Sequence, residues 1–551
     1  MKPRIRPVIG LLAAPLPIIA LAAVPAFAAT PDAQSSSALR GDVVSAVSHS
    51  ARTGDVAADQ QISVAVSLTQ RDTAGLDTFL SQVTDPNSPN YQHYLTVDQF
   101  AQRFGATPQT VAKVSAYLAS QGLKVGDVTA NRLTIEATGT AAQVQKAFNT
   151  SLATYQDNKD GHSYFANTTA PSVPNDIASV VSDVSGLNNY AKYTHFSTKS
   201  SAQATPDATA KAPAGLSPTS AQAAYNLTST VKAGYNGKGV TVGLLEFSAF
   251  SQSDVSAYDK AFSIKPSAPT VVNAGGGTTD TSGQDEVDLD IEVVQALAPG
   301  ATIKVYEAPN SDAGETAIYS KLVSDNVPVI SISWGTYEAG ETASNRVAVD
   351  ADLKEAAAQG QSVYAASGDS GSDDAGNGGT SVDFPAADPW VTGAGGTTLA
   401  QGTGGAWKSE KAWSGSGGGV SSYFNTPSYQ SKVNTGTYRS VPDVASDADP
   451  SSGWAVYTGG SWAEYGGTSA SAPNWAAFTA VYNSEAKAKG KPSFGFANSR
   501  IYTLAASSSY KSAFHDVTSG SNGAYSAGTG YDKVTGWGSY NGANFLSSQL
   551  G

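Results

Sequence analysis

Residues 239–246 read Gly-Val-Thr-Val-Gly-Leu-Leu-Glu, a nearly continuous apolar run that ends on a carboxylate. Such a run, without polar alternation, is typical of a strand buried on both faces of a parallel sheet. Helical stretches separate it from three runs of the same kind, at residues 302–306, 327–333 and 362–367. The sequence therefore predicts an α/β region whose parallel sheet is covered by helices. We expect functional side chains at the carboxyl ends of its strands.

The chain before this region has a different pattern. Residues 61–68 and 132–137 alternate polar and apolar side chains like half-buried strands, whereas residues 72–83 and 140–148 have helical spacing. This mixture predicts a separate α+β domain. Between the two regions, residues 194–216 are rich in Ser, Thr, Ala, Lys and Pro, which is typical of a linker. We expect this linker to be exposed and to be cut by a protease.

The composition excludes several classes of function. The chain of 551 residues carries a net charge of −13 and has a pI of about 4.8, so neither nucleic acid nor an anionic membrane is an expected partner. Only 14% of its residues are charged, which is compatible with acid conditions. Because there is no cysteine, disulfides, thiolate catalysis and cysteine metal sites are excluded.

The N-terminus predicts secretion. Basic residues within the first six positions precede a proline-interrupted apolar stretch, and the small-x-small pattern Ala26-Phe27-Ala28 follows. Residues 1–28 are therefore interpreted as a signal peptide, which predicts an extracellular protein. The alternative is a membrane anchor, but no polar stop-transfer segment follows. No other stretch reaches the ~18 apolar residues of a membrane span.

A candidate nucleophile lies near the end of the chain. Residues 466–473 read Gly-Gly-Thr-Ser-Ala-Ser-Ala-Pro and precede an apolar helical run. A serine at such a junction can expose its hydroxyl, and its own N–H can help to stabilise an oxyanion. The alternative is a Ser/Thr helix cap before proline. Because Gly-Thr-Ser-x-Ser-Ala-Pro resembles the nucleophile motif of subtilisin-like peptidases, Ser469 is the candidate nucleophile.

The histidines do not supply an obvious base for this serine. A Ser-His-Asp triad needs a histidine, and of five histidines only His515 lies beyond the linker. It follows the serine, and no glycine-rich histidine motif surrounds it. We therefore expect another group to be the base, with a triad that uses His515 as the alternative.

Residues 285–298 carry an unusual number of acids on a helical pattern. At ~100° per residue, Glu286 and Asp290 fall inside the apolar arc of the helix. The other polar side chains fall opposite and are expected in solvent: Asp288, Glu292 and Gln295. Two buried carboxylates four residues apart repel each other. The alternatives are a frayed helix end with a solvated Glu286, or a base, Glu286, supported by Asp290. A carboxylate base is weak at neutral pH, which predicts an acid optimum.

Together these residues resemble the sedolisin family of serine-carboxyl peptidases, and the resemblance covers nearly the whole chain after the signal peptide. It implies a subtilisin-like catalytic domain with a triad of Ser469, Glu286 and Asp290. Residues 367–371, Ser-Gly-Asp-Ser-Gly, resemble the segment that carries the oxyanion aspartate of the family, which implies Asp369. A protonated carboxyl group can donate a hydrogen bond to an oxyanion, which is a second reason to expect activity in acid.

Further segments match the surroundings of this site in the family. Glu246 and Trp334 match residues that extend the hydrogen-bond network behind the triad, with simple packing at strand ends as the alternative. Residues 416–421, Ser-Gly-Gly-Gly-Val-Ser, resemble a segment beside the substrate cleft, with a flexible glycine loop as the alternative.

The C-terminal region resembles the calcium site of the family, at residues 515–517 and 528–536. Hard oxygen ligands and glycine-permitted turns suit one structural calcium ion. The implied ligands are the side chains of Asp516 and Asp532 and the carbonyl oxygens of Val517, Gly528 and Gly530.

Residues 85–96, Asp-Pro-Asn-Ser-Pro-Asn-Tyr-Gln-His-Tyr-Leu-Thr, resemble the activation prodomain of the family. The resemblance implies a zymogen, with residues 29–193 as a prodomain that helps folding and covers the cleft until acid releases it. Residues 194–216 would contain the processing site, and residues 217–551 would form an endopeptidase domain. The expected partners are protein or peptide substrates and the prodomain itself, and we expect a monomer. Tripeptidyl-peptidase action and a non-catalytic, calcium-dependent binding protein are the alternatives.

Overall fold

The computed structural model describes residues 36–39, 43–159, 161–201, 205–206 and 215–551. The predicted signal peptide lies outside the described residues. Among the helices of the described part, none is long and apolar enough to cross a membrane.

The N-terminal region combines antiparallel sheets with short helices. Its strands are Ser36–Ala38, Ser50–Asp55, Gln61–Leu68, Lys124–Val128, Thr134–Thr140, Leu152–Asp157, Ser163–Asn167, Ser172–Pro174 and Val181–Ser185. Its helices are the 3-10 turn Ser45–His49 and the α-helices Thr73–Val83, Val97–Arg103, Pro108–Ser120, Ala141–Phe148 and Asn175–Ala178. The helix Ala141–Phe148 begins where predicted, because the Thr140 and Gln143 side chains form a capping box. The predicted α+β character of this region is confirmed.

An eight-stranded, mainly parallel sheet organises the rest of the chain. Its strands, in spatial order, are Thr270–Asn273, Thr302–Glu307, Thr241–Glu246, Val329–Ile332, Ser362–Ala366, Thr392–Gln401 and the antiparallel Trp407–Ala412, and Val444–Asp447 also pairs with Thr392–Gln401. The strands of this region outside the sheet are Trp334–Tyr337, Asp383–Phe384, Gly419–Asn425, Tyr438–Val441, Trp454–Thr458, Ser461–Gly466, Phe514–His515 and Ser539–Tyr540. The helices are Pro218–Ala224, Thr228–Lys232, Gln252–Phe262, Gln284–Leu297, Asp312–Ser324, Ala343–Gln359, Thr468–Ala488, Ala497–Ala505, Tyr510–Ala513 and Gly542–Leu550, with 3-10 turns at Thr403–Gly405 and Ser428–Gln430.

Helices cover both faces of this sheet, as the apolar runs predicted. Consecutive side chains of a strand point to opposite faces, so Leu244 joins the core under Gln284–Leu297 and Thr468–Ala488. Leu245 joins the core under Asp312–Ser324 and Ala343–Gln359. The predicted parallel sheet covered by helices is confirmed.

The helix Gln284–Leu297, called the acid helix below, is buried on every side. The prediction that its outer polar residues face solvent is wrong, because Asp288, Glu292 and Gln295 are each at most 1% exposed. Elements that the helical wheel could not include cover that face: the Tyr457 N–H donates to Glu292 at 3.0 Å. Gln284 bridges Asp288 and the covering helix Gln252–Phe262. A buried carboxyl group needs such partners, and burial raises the pKa of Asp288 to about 7.

The N-terminal sheet packs against the helices Asp312–Ser324 and Ala343–Gln359. The contact is polar as well as apolar: Asn131 donates to the Glu355 carboxylate at 2.7 Å. The hydroxyls of Ser185 and Thr316 lie 2.9 Å apart. This packing fixes the point from which the linker enters the larger region.

Candidate active site

Ser469 lies in the first turn of the helix Thr468–Ala488, called the serine helix below. Gly467 precedes the helix with a φ of 103°, a conformation that favours glycine. Pro473 lies inside the helix and has no N–H to donate to the Ser469 carbonyl. The Ser333 hydroxyl approaches that free carbonyl at 3.3 Å instead. The serine helix is therefore held to the carboxyl end of the strand Val329–Ile332.

The linker runs through this site like a bound peptide. Its strand Thr194–His195 pairs antiparallel with Trp334–Tyr337. Its next strand, Thr198–Lys199, pairs antiparallel with Ser461–Gly466. Between them, Phe196 is only 8% exposed. The prediction of an exposed linker is wrong for Phe196, which joins the main core, whereas the side chains of Thr194, Thr198 and Lys199 are exposed.

Ser469 contacts the linker directly and is fully buried. The Phe196 N–H donates to Ser469 Oγ at 3.0 Å, and the Ser469 N–H points to the Phe196 carbonyl oxygen at 3.4 Å. The Phe196 N–H also reaches the Ser333 carbonyl at 3.2 Å. Within the described residues, no hydrogen bond joins Ser469 to Glu286. The two contacts between Phe196 and Ser469 place the Phe196 carbonyl group beside Ser469.

Asp369 borders the space around the Phe196 carbonyl oxygen. One carboxylate oxygen of Asp369 accepts from the Thr468 N–H at 2.8 Å and from its hydroxyl at 2.9 Å. The other accepts from the Thr198 hydroxyl at 3.2 Å. A Cβ added to Gly467 would lie 1.8 Å from the Phe196 oxygen and 2.6 Å from Asp369 Oδ2, so both oxygens face the space that glycine leaves open. Burial raises the pKa of Asp369 to about 7, which favours the protonated, donating form in acid.

Glu286 and Asp290 are both fully buried beside this space, as the wheel predicted, and Glu286 is not at a solvated helix end. The Ser333 hydroxyl donates to Asp290 at 2.9 Å. Burial, followed by the charges of Glu246 and Glu286, holds the pKa of Asp290 well above its usual range. The acids can therefore share protons rather than all ionise.

Glu246 and Trp334 extend this cluster. The indole N–H of Trp334 donates to Glu246 Oε2 at 2.8 Å. Burial and then the charge of Glu286 raise the pKa of Glu246. Residue 333, which bonds to Asp290, was missed from the sequence. Its position at the end of a predicted buried strand, directly before Trp334, was the available signal.

The glycine segment at residues 416–421 packs against the segment that carries Asp369. The Gly417 N–H donates to the Gly368 carbonyl at 2.7 Å, and the Ser367 hydroxyl donates to the Gly417 carbonyl at 2.7 Å. The structure therefore brings this segment to the border of the site.

His515 lies elsewhere. Its ring stacks on Trp407 with the ring centroids 4.0 Å apart, and burial lowers its pKa to about 4. Within the described residues, no hydrogen bond joins His515 to Ser469, so the structure gives no support to it as the base. The histidine that does reach the site is His195 of the linker, whose Nδ1 lies 3.3 Å from Glu286 Oε2.

The predicted metal ligands come together around one turn. The Gly530 N–H donates to Asp516 at 3.0 Å, and the Gly528 N–H donates to Asp532 at 3.0 Å. Neither carboxylate has a Lys or Arg partner among the described residues. No group of three or more His, Asp or Glu side chains that could hold a metal is found there. The two carboxylates accept hydrogen bonds from N–H groups of the turn and have no cationic partner in the described part of the chain, and carboxylate oxygens of this kind suit calcium.

Comparisons with known proteins show which family and fold this chain resembles. A family profile described as "Pro-kumamolisin, activation domain" matches residues 48–190, and one described as "Subtilase family" matches residues 271–538. Sedolisin from Pseudomonas sp. (strain 101) is 34% identical over 522 residues, which cover 88% of this chain and 86% of that protein. Kumamolisin from Bacillus sp. (strain MN-32) is 34% identical over 532 residues, with coverages of 90% and 93%. Tripeptidyl-peptidase 1 from Homo sapiens is 26% identical over 544 residues, with coverages of 89% and 92%.

A solved structure also matches. It is the Pseudomonas serine-carboxyl proteinase sedolisin complexed with two molecules of pseudo-iodotyrostatin. The TM-score is 0.55 at 32% identity, and the match covers 62% of this chain and 98% of that one. The subtilisin-like fold predicted for the larger region is confirmed.

Proposed function

Because the chain belongs to the sedolisin family of serine peptidases, we propose that it is a secreted zymogen of an acid-active endopeptidase with a Ser-Glu-Asp triad. One observation carries the proposal. The backbone of Phe196 meets Ser469 with its N–H and its carbonyl group, as a peptide substrate of this serine would. Secretion rests on the signal-peptide pattern at residues 1–28.

The chemistry follows from the side chains around that carbonyl group. Ser469 attacks the carbonyl carbon while Glu286 takes the hydroxyl proton, and Asp290 supports Glu286. The Ser469 N–H and protonated Asp369 stabilise the oxyanion. Glu286 then returns the proton to the leaving amine, and water hydrolyses the acyl-enzyme. All of these groups lie on the acid helix, the serine helix or the segment after Ser362–Ala366.

The same contacts point to the first bond that is cut. Since the Phe196 carbonyl oxygen faces both Ser469 N–H and Asp369, the scissile bond is Phe196–Ser197. The strands on either side of this bond, Thr194–His195 and Thr198–Lys199, hold it in an extended conformation. Self-cleavage at this bond would separate the prodomain from the catalytic domain.

Endopeptidase action is favoured over tripeptidyl-peptidase action by the path of the linker. Thr194 is the third residue before the scissile bond, and the chain continues past it: the Tyr193 N–H bonds to Asn310 at 2.9 Å. A cleft that admits chain beyond the third residue suits cleavage inside a polypeptide. Tripeptidyl-peptidase action remains the second candidate.

The experiment that tests this function is a cleavage profile on a peptide library across pH. We expect activity in acid that falls as the pH rises through about 7, because Asp369, with its pKa raised to about 7, then ionises and can no longer donate to the oxyanion. A rate that increases from pH 6 to pH 9, as for an enzyme with a histidine base, would contradict the proposal.

A structural calcium ion belongs to the proposal, held by Asp516, Asp532 and the carbonyl groups of Val517, Gly528 and Gly530. When bound, it would supply positive charge that ties the turn at residues 528–536 to Asp516. A chelator should lower the Tm of the catalytic domain by ~5–10 °C, and added calcium should restore it. Asp516→Asn is the matched control and should respond to neither treatment. A wild-type Tm that a chelator leaves unchanged would contradict the calcium assignment.

A further inference from the structure

The residue that precedes Phe196 makes an unusual contact with the proposed base. His195 Nδ1 lies 3.3 Å from Glu286 Oε2 and 3.0 Å from the Ser197 hydroxyl. Its ring meets the Trp334 ring edge-on, with the centroids 5.0 Å apart. The His195 side chain is 29% exposed, whereas Glu286 is fully buried. A side chain of the bound linker therefore contacts the proposed base itself.

Glu286 lies in surroundings that favour a cation. Neither of its carboxylate oxygens has a hydrogen bond of full geometry within the described residues. Its neighbours Glu246 and Asp290 are acids. A buried carboxylate without a partner is costly, and a protonated imidazole offsets part of that cost. Burial lowers the pKa of His195, but the hydrogen bond and charge of Glu286, with the charges of Asp285 and Asp369, raise it overall.

The contact between His195 and Glu286 follows from how the cleft binds the backbone of the linker. His195 pairs with Trp334 in the antiparallel ladder, and Phe196 occupies the position whose carbonyl is attacked. Any peptide that binds in this register places the side chain of its second residue before the scissile bond on Glu286 and Trp334. We call this place the His195 subsite.

We propose that the His195 subsite recognises peptides with histidine before the scissile residue, and that the imidazole binds them tightly while slowing their cleavage. The proposal rests on the role of Glu286 as base. A base paired with an imidazolium must loosen that pair before it accepts the Ser469 proton, so the pair stabilises the bound substrate more than the transition state. No other proton or co-reactant is required. The linker is then a tightly held, slowly cut first substrate, and His195 is a positioning residue.

Histidine fits the subsite better than a longer basic side chain. The Nδ1 atom is only two bonds from Cβ, and this short side chain brings Nδ1 next to the Glu286 carboxylate. The ring also makes its edge-on contact with Trp334. Lysine and arginine would carry their charge beyond the Glu286 carboxylate, and their stems would lose the ring contact. The subsite is therefore expected to discriminate among cations.

The test uses the enzyme freed of its prodomain and a set of quenched fluorescent peptides built on Thr-His-Phe-Ser-Thr-Lys, the sequence of residues 194–199. The peptides differ only in the second residue, which is His, Gln, Ala or Lys. Relative to the Gln peptide, the His peptide should show a KM about 10-fold lower and a kcat about 10-fold lower. Equal KM values for the His and Gln peptides, or an unchanged kcat, would overturn the proposal.

Failure of the proposed function gives a different result. If no peptide is cleaved, the peptidase assignment itself fails, and the subsite is then tested by affinity alone. For this measurement, the linker of the Ser469→Ala chain is cut by an unrelated protease, which does not depend on the proposed function and is removed afterwards. Its Kd for the His peptide, from fluorescence anisotropy, should be about 10-fold below that for the Gln peptide. Equal Kd values would overturn the subsite.

The full-length chain provides a second, independent readout. His195→Gln keeps a polar side chain in the linker but removes the cation, so self-cleavage should become about 10-fold faster. His93→Gln, an exposed position of the N-terminal region, is the matched control and should process at the wild-type rate. An unchanged or slower rate for His195→Gln would overturn the inhibitory role of this histidine.

Discussion

Ser469→Ala is expected to leave the full-length chain uncut in acid, while the wild-type chain yields two fragments separated at Phe196–Ser197. The loss should be on the order of 10⁶-fold, because alanine removes the nucleophile and leaves only oxyanion stabilisation and binding. Intact-mass measurement of a purified, protease-free sample checks both the loss and the site of cleavage.

Ser471→Ala is the matched control for this experiment. Ser471 lies two residues further along the serine helix, is equally buried, and shares a hydrogen bond with the Ser446 hydroxyl at 2.9 Å. No hydrogen bond joins it to the linker among the described residues, so its variant should still process. Normal processing of Ser469→Ala in the protease-free sample would contradict the assignment of the nucleophile.

Glu286→Gln is expected to slow self-cleavage by about 10⁴-fold or more. Glutamine preserves the size of the side chain but cannot accept the Ser469 proton. The measurement is the first-order rate constant of linker cleavage at high dilution, followed by gel electrophoresis and mass spectrometry.

Glu292→Gln is the matched control on the acid helix. Burial holds the pKa of Glu292 well above its usual range, so glutamine resembles its protonated form and can keep the bond from the Tyr457 N–H. This variant should process at nearly the wild-type rate. If Glu286→Gln processed as fast as Glu292→Gln, the carboxylate base would be wrong and a different base would be needed.

The sequence predicted the elements whose pattern is local. The apolar runs predicted the parallel strands, and the capping residues predicted helices such as Ala141–Phe148, because both depend on neighbours along the chain. The inward pair Glu286 and Asp290 was found for the same reason. The resemblance to a known family supplied Asp369, because the sequence Gly-Asp-Ser-Gly at residues 368–371 is by itself typical of an ordinary turn.

The missed features depend on contacts between distant segments. Asp288, Glu292 and Gln295 were predicted in solvent because a helical wheel assumes that only the apolar face of a helix is covered. This helix is covered on both faces. The contacts that His195 and Phe196 make in the cleft were missed because a polar, alanine-rich composition indicates a linker and does not show that the linker is bound. Edge strands with free backbone groups can bind such a chain whatever its composition.

The pairing of Thr194–His195 and Thr198–Lys199 with the walls of the cleft also constrains how this protein can evolve. The cleft first binds these residues of the chain's own linker, and it later binds foreign substrates in the same position. A mutation that reshapes the cleft toward a new preference also changes the rate at which the enzyme matures. Substrate specificity and maturation are therefore coupled, and a change in substrate preference requires compensating substitutions in the linker.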